Sequence, residues 1–579
     1  MDSLSSTTPV ETPAAWTRVQ AAGVLIVSVD NPVAADYAAH ARLQGETRVT
    51  LIPDAALAPR TAESAPLQSA VVFLAPGLTP RVRQAIDALA EPLAASDVEC
   101  LCIVSSFRIH LGDQAAAETE AYALARLAPC AVRTVVLRSG HVLSPRSPVR
   151  RRLQRLGGCY PLVPRWLQSC LIDGAELFAA IDDVRQRRDS PRIRHFTLLG
   201  PNRSWRDVLQ QERAPGLASA LLTAVGWLLA LLLVGRLAAL VLRRWHVPTL
   251  RPASLRELCM LVNPYNYRHV KVVGYNNGVV HFGHAYPAQT VVSTVTCRRI
   301  ARVAPDLVKA DAGVTIRQAA DYLAQAQQQL PVVPNYSYVC LGTAFFVPIH
   351  GSAADFTTVA DTITHVVLYD PVSDSILSAK RTQPAFRDYL YRLNTHVLLL
   401  RLTVRVQAQA RYVAQRQTLD EPAAATLLEA LSDGQAANVE IRKSGAAAGR
   451  VEITRYYQSA ENADLTAPRD ALGSLWDRLE ANAVTSFLFH LLVRRLAWHV
   501  ELFLTPAEFV EFWRTHRTLP LKKLQLRYIR RDGFPHSPFR DGDCVSVDTF
   551  MLRKHRAAFE TYLRQSLPHA RLNPGKHSA

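Results

Sequence analysis

From Ala214 to Gly235 the chain carries no charged residue, and after Arg236 the apolar run resumes through Leu237–Leu242 to Arg243-Arg244-Trp245. As a helix the uncharged part would span roughly 33 Å, enough to cross the hydrocarbon core of a bilayer. A helix that is apolar on every face over that length is hard to hide in a water-soluble core, although a buried helix is the soluble alternative. The run therefore predicts a membrane segment over residues 214–244, with a folded region on each side. Arg203, Arg206 and Arg213 precede it and Arg243 and Arg244 follow it, so charge bias favours cytoplasmic folded domains only weakly. A crossing helix and one lying in the interface both satisfy the pattern.

Before this segment, residues 1–20 are rich in Ser, Thr, Pro and Ala and read as a flexible leader, since they lack the basic and apolar regions of a signal peptide. Residues 21–210 then alternate short β-branched runs with alanine-rich stretches. Gly23–Val29, Val49–Ile52, Ala70–Leu74, Cys100–Ser105 and Arg133–Leu137 read as strands, and Pro80–Ala95 and Ala115–Ala128 as helices. Such alternation predicts a parallel sheet covered by helices on both faces. The runs Cys102-Ile103-Val104-Ser105-Ser106, Val135-Val136-Leu137-Arg138-Ser139-Gly140 and Cys170-Leu171-Ile172-Asp173-Gly174 resemble the extended short-chain dehydrogenases and sugar-nucleotide epimerases. The chemistry of that family is missing, however. The first strand leads into Ser28-Val29-Asp30-Asn31-Pro32, with no glycine to admit a cofactor pyrophosphate, and a Tyr–Lys pair is absent where His110-Leu111-Gly112-Asp113-Gln114 stands. The expectation is a Rossmann-like domain that has lost catalysis and serves a structural or partner-binding role.

After the apolar run, Ser254 with Glu257 three residues on forms a capping box for a helix, and His269–Gly274 reads as the strand that follows. Further along come Ala312-Gly313-Val314-Thr315, Leu330-Pro331-Val332-Val333-Pro334, Leu341-Gly342-Thr343 and His350-Gly351-Ser352, then Asp361 and the strand Val366–Asp370. Small residues of this kind let a backbone approach phosphate closely. Their order and spacing resemble the FAD-binding domain of the vanillyl-alcohol oxidase type, which includes aldonolactone and decaprenylphosphoryl-ribose oxidases. The resemblance spans residues 250–406 and continues more faintly over a substrate or cap domain, residues 407–579. It implies a fold of class α/β plus α+β: an N-terminal Rossmann-like domain, a hydrophobic membrane helix and a two-part C-terminal FAD-binding oxidase fold.

The resemblance also implies FAD contacts at Gly274, Asn276, Asn277, Gly278, His284, Gly313, Pro334, Gly342, Thr343, His350, Gly351, Ser352 and Asp361. Two registers are open for the turn that would hold the pyrophosphate: Gly274–Gly278, with asparagines where the family has histidine, or Gly283-His284-Ala285, which would make His284 a covalent attachment point. The pattern breaks at Leu393-Asn394-Thr395-His396, where a glycine-rich turn is usual. For catalysis it points to His536 or Asp548 facing substrate, and to Lys576 in the basic tail as a cation beside the flavin. His281 and His284 lack convergent Cys, Asp or Glu, so no metal is expected.

The net charge of +17 is spread along the chain in short runs such as Arg150-Arg151-Arg152, Arg187-Arg188 and Arg530-Arg531, without interleaved aromatics. That distribution argues against a nucleic-acid partner and for an anionic membrane surface or a phosphorylated substrate. Nine scattered cysteines form no metal-type pair and suit a reducing compartment. Two readings follow: a membrane-associated FAD oxidoreductase acting on an alcohol carbon of a sugar, polyol or lipid-linked sugar, or a membrane scaffold in which both nucleotide-type folds have decayed.

Overall fold

The computed structural model describes residues 24–29, 31–44, 49–52, 69–96, 98–163, 168–187, 192–213, 215–231, 250–274, 289–332, 334, 339–351, 357–393, 395–444, 449–459 and 497–576. The chain divides into two compact units, Met1–Val241 and Leu242–Ala579.

In the first unit, six parallel strands run β1 (Val24–Ser28), β2 (Val49–Ile52), β3 (Ser69–Phe73), β4 (Val98–Ser106), β5 (Ala131–Ser139) and β6 (Ile193–Leu198), in the spatial order β2-β1-β3-β4-β5-β6. The expected strands and the parallel sheet are present, because runs such as Cys100–Val104 are buried on both faces and carry no alternation. Helices α1 (Val33–Leu43), α2 (Pro80–Ala94) and α3 (Gln114–Leu127) follow β1, β3 and β4. Thr79 caps α2 and Asp113 caps α3, each accepting a backbone N–H of its helix's first turn. The unit continues with α4 (Pro148–Leu156), α5 (Gly174–Gln186), α6 (Trp205–Gln211) and α7 (Leu217–Leu231).

The order β2-β1-β3 makes the end of β1 a topological switch point, the place where this kind of sheet opens a crevice for a ligand. Here the crevice is closed by its own side chains. Ser28 Oγ donates to the Asn31 carbonyl at 2.8 Å, and Asn31 Nδ2 donates to the Leu74 carbonyl beyond β3 at 3.2 Å. Asn31 Oδ1 also accepts from Val33 N at 3.1 Å, so one side chain starts α1 and ties two strand ends together.

The expected membrane segment is described only as α7; residues 232–249 lie outside the described residues. Among the described residues no helix is long and apolar enough to cross a membrane, so a crossing helix over 214–244 is unsupported.

The second unit opens with α8 (Leu255–Leu261), where Ser254 accepts from Glu257 N as expected but the Glu257 carboxylate accepts from Ala253 N, leaving the capping box half formed; the parallel pair β7 (Val270–Val273) and β8 (Thr290–Ser293) follows. An antiparallel five-stranded sheet follows, built from β9 (Ile300–Ala304), β10 (Leu307–Asp311), β11 (Ile363–Asp370), β12 (Ser375–Lys380) and β13 (Leu398–Arg405) in the order β9-β10-β13-β11-β12. Helices α9 (Ile316–Ala324) and α10 (Leu341–Phe346) join a core containing Ile316, Leu323, Phe345, Ile363, Phe386 and Leu402. A seven-stranded antiparallel sheet completes the unit: β14 (Arg411–Asp420), β15 (Asn438–Lys443), β16 (Arg450–Ser459), β17 (Ala497–Leu504), β18 (Leu524–Ile529), β19 (Cys544–Leu552) and β20 (Arg571–Leu572), ordered β14-β16-β15-β18-β19-β17-β20. Its apolar face packs on α11 (Pro506–Thr515) through Phe509 and Phe512, while the other face carries polar residues that are also buried. That second face holds the candidate site.

Candidate active site

The site begins with a conflict between two strands. Glu501 on β17 lies directly opposite Asp548 on β19, so two carboxylates face each other across an antiparallel pair. Like charges in that register repel at close range unless a cation stands between them. Lys576 is that cation: its Nζ lies 3.0 Å from Glu501 and 2.8 Å from Asp548. The tail is built to put it there. Strand β20 pairs with β17, Asn573 N donates to the Glu501 carbonyl at 2.9 Å, and Asn573 Oδ1 accepts from Gly575 N at 2.9 Å. A Cβ at Gly575 would meet Val347 Cγ1 at 2.5 Å, so only glycine lets the tail lie flush on the segment leading to His350.

Two histidines complete the cluster. His350, from the segment after α10, places Nε2 2.5 Å from Glu501 Oε1, and its Nδ1 is 3.2 Å from the Gly351 carbonyl. Ser546 Oγ and Asn573 Nδ2 also donate to Glu501, at 2.6 and 2.7 Å. His350 and Glu501 are closed off from solvent, with side chains 4% and 2% exposed. His499 on β17 is the more open partner, 11% exposed, stacked on Phe550 and 2.5 Å from Asp548 Oδ1. With Nε2–H given to the carboxylate, a neutral His499 carries its lone pair on Nδ1, which has no hydrogen-bond partner among the described residues. An inner His–Glu pair and an outer His–Asp pair thus share one lysine.

The electrostatics follow from that sharing. Burial alone would raise the Asp548 carboxyl, but Lys576 and the His499 hydrogen bond bring it down to about 2. Burial opposes ionisation of Glu501 too, and Lys576 with His350 overcomes it, leaving this carboxyl well below its ordinary range. Lys576 is held above its ordinary value against burial by the two carboxylates. Asp548, Glu501 and Lys576 are therefore charged together across the neutral range.

Beside the cluster on the same sheet face, Gln525 of β18 stands opposite Asp548, and Arg527 opposite Ser546. Both are buried; Arg527 pairs with Glu440 at 3.3 Å, while Gln525 Nε2 and Arg527 Nε have no hydrogen-bond partner among the described residues. Buried donors left open cost roughly 1–3 kcal/mol each, a cost that an oxygen-rich ligand would remove.

The glycine-bearing segments meet at another corner of the unit. A Cβ at Gly274 would come within 3.0 Å of Cys340 Sγ and Thr343 Oγ1; one at Gly342 would meet the Ala312 carbonyl at 2.7 Å; one at Gly313 would overlap the Thr294 carbonyl. Four backbone segments touch here because these positions have no side chain. Their amides are engaged within the protein: Gly313 N donates to Cys297, Gly342 N to Ala312, Thr343 N to Cys340 and Gly351 N to Thr357. The small residues thus build a packed floor instead of presenting free phosphate donors. Pro334 is buried. Asp361 caps the turn that opens at Thr358, accepting from its N–H at 2.8 Å, and pairs with Arg381. Asn276, Asn277, Gly278, His284 and Ser352 lie outside the described residues, as does Asn394.

Of the residues singled out from sequence for catalysis, Asp548 and Lys576 come together, and His350 joins them from the neighbouring half. His536 sits on an exposed turn after Phe534, outside the cluster. Glu501 and His499, the centre and the open end of the network, were not signalled by any motif. The available hint is the spacing His499-Val500-Glu501 in a strand otherwise made of Trp498, Leu502, Phe503 and Leu504, which sets two ionisable groups on one face.

No family model and no curated protein matches the chain. Among solved structures, two of the cholesterol oxidase from Brevibacterium sterolicum, one a single-site mutant, are similar at a TM-score of 0.40. They are 12% and 11% identical, and each match covers 56% of this chain and 82% of that one. At this level of similarity neither a family nor an activity follows from the likeness.

Proposed function

We propose that the second unit is an FAD-dependent oxidoreductase acting on an alcohol carbon of a sugar, polyol or lipid-linked sugar. The observation that carries this reading is the buried cluster of Glu501, Asp548, Lys576, His350 and His499, where the half bearing the flavin-type sequence pattern meets the seven-stranded sheet. The sequence resemblance puts FAD contacts at Gly274 and in residues 275–288, which lie outside the described residues, and at Gly313, Gly342 and Thr343; when bound, FAD would supply a hydride acceptor.

The chain's own residues do the proton work. His499 Nδ1 would take the hydroxyl proton of the alcohol, whose carbinol hydride a bound FAD would accept. Asp548 keeps the imidazole in the tautomer with Nδ1 open and stabilises it once protonated. Lys576 holds Asp548 ionised, and Gln525 and Arg527 offer buried donors to substrate oxygens. Fixed donors and charges of this kind act without reorganising during the reaction. The apolar run and the basic balance of the chain support placing the reaction at a membrane, with the folded units on the cytoplasmic side and the first unit available to a protein partner.

The test is the absorption spectrum of the full-length protein purified in detergent, before and after addition of FAD. Flavin bands that co-purify or are retained after desalting support the reading; a colourless protein that takes up no FAD sinks it. Bands surviving acid precipitation would identify covalent attachment and favour His284. One observation favours the second reading, a catalytically silent membrane scaffold: the amides of Gly313, Gly342, Thr343 and Gly351 are already bonded within the protein. The same spectrum separates the two.

A further inference from the structure

Helix α7 contradicts the usual rule for a surface helix. Leu217–Leu231 has no charged residue, yet Ala218, Ala220, Leu221, Leu222, Ala224, Val225 and Trp227 are exposed, Leu221 to 66%. A surface helix of a globular protein normally turns a polar face to water. Among the described side chains, one edge of α7 is packed. Gly226 rests on Pro161, and a Cβ at Gly158 would meet Leu222 Cβ at 2.7 Å and the Ser219 carbonyl at 2.9 Å. Trp227 stands edge-on to Tyr160 at 6.4 Å. The helix is therefore fixed to the first unit by the turn Gly157–Leu162, while Ala218, Ala220, Leu221, Ala224 and Val225 remain exposed.

What surrounds it is cationic. The same turn ends α4, whose sequence Pro148–Leu156 contains Arg150, Arg151, Arg152 and Arg155 and no acid. Arg151, Arg152, Arg155 and Leu156 are exposed, while Arg150 is tied to Glu212 at 2.9 Å. Gly157 packs on the backbone of Arg213, just before α7, and the Arg206 guanidinium lies 5.2 Å from the centre of the Trp227 ring. An uncovered apolar helix edged by arginines and a tryptophan has the chemistry of an interfacial anchor: side chains for the acyl boundary and cations for anionic headgroups.

We propose that α4 and α7 form one docking face for an anionic phospholipid surface, with α7 lying in the interface and the α4 arginines on the headgroups. This goes beyond the oxidoreductase reading and is independent of it, since lipid docking requires no flavin. It also assigns the described part of the apolar run a task that does not depend on crossing.

The experiment is flotation of full-length protein with vesicles of phosphatidylcholine alone or mixed with phosphatidylglycerol. Partitioning should favour the anionic vesicles strongly and fall as salt is raised. The combined variant Arg151→Glu, Arg152→Glu, Arg155→Glu should lose about a hundredfold or more of that preference. Leu221→Gln with Val225→Gln should weaken binding to both vesicle types. Equal partitioning into neutral and anionic vesicles would overturn the proposal, as would wild-type behaviour of the arginine variant, because the apolar run alone would then carry attachment. Retention on nucleic acid in place of anionic vesicles would overturn it too. If the arginine variant does not fold, the salt dependence of the wild-type protein decides.

Discussion

The crevice at the end of β1 and the cluster between β17 and β19 are both places where a nucleotide-type architecture would put chemistry, and they solve their polar bookkeeping in opposite ways. In the first unit Asn31 and Ser28 satisfy one another and bridge to Leu74, with no charged group involved among the described residues. In the second, two carboxylates are forced face to face and stabilised by a shared lysine from the C-terminal tail together with one histidine each. The first arrangement is what a fold settles into when only stability matters. The second is costly to assemble, since buried ion pairs seldom repay their desolvation compared with apolar packing. Its retention is understandable if the charges have work to do.

The comparison can be broken most severely at His499. If it is the proton acceptor, His499→Gln should lower turnover of an alcohol substrate by about 10²–10⁴-fold, with retained flavin and an almost unchanged melting temperature. Loss of stability without this selective loss of rate would make His499 a packing residue. Next in size is Lys576→Met, which leaves Glu501 and Asp548 opposed and uncompensated and should cost about 3 kcal/mol in denaturant unfolding of the second unit. An effect below about 1 kcal/mol would mean that the tail lysine is incidental.

Acid offers a milder probe. The folded-state pKa of Asp548, about 2, lies below the ordinary carboxylate value, so its contribution is fully present above that ordinary value and is lost as pH falls toward 2. Glu501 is displaced in the same direction. Protonation of Asp548 should therefore cost on the order of 2 kcal/mol of stability as pH falls from about 4 toward 2, Glu501 should add a loss of the same sign, and Lys576→Met should flatten this dependence. The smallest effect is expected in the first unit: Asn31→Ala should cost about 1 kcal/mol and leave flavin content and turnover unchanged. A loss of turnover there would show that the crevice is more than architecture.

How much of this was legible in the sequence depended on range. Strands such as Cys100–Val104 stand out as unbroken apolar runs because they are buried on both faces, and the helix start at Ser254 is local enough to read directly. Asp548 and Lys576 stand out only through the family resemblance, which makes His350 a cofactor contact; the structure adds Glu501 as the partner of His350. That bond joins residues 151 positions apart, and no local pattern encodes it. Glu501 is hidden because it sits in an apolar strand whose neighbours are all core. Asp361 has a role that is local: three positions after Thr358, it caps that turn and pairs with Arg381.

The most direct measurement is anaerobic mixing of the flavin-loaded full-length protein with a panel of sugar and polyol alcohols, lipid-linked ones included, while the flavin absorption is followed. The account predicts that at least one alcohol bleaches the wild-type flavin rapidly, and that His499→Gln retains the flavin but bleaches far more slowly. A protein that holds no flavin, or a His499→Gln variant that bleaches at the wild-type rate, would contradict the placement of the reaction at the His499–Asp548–Lys576 cluster.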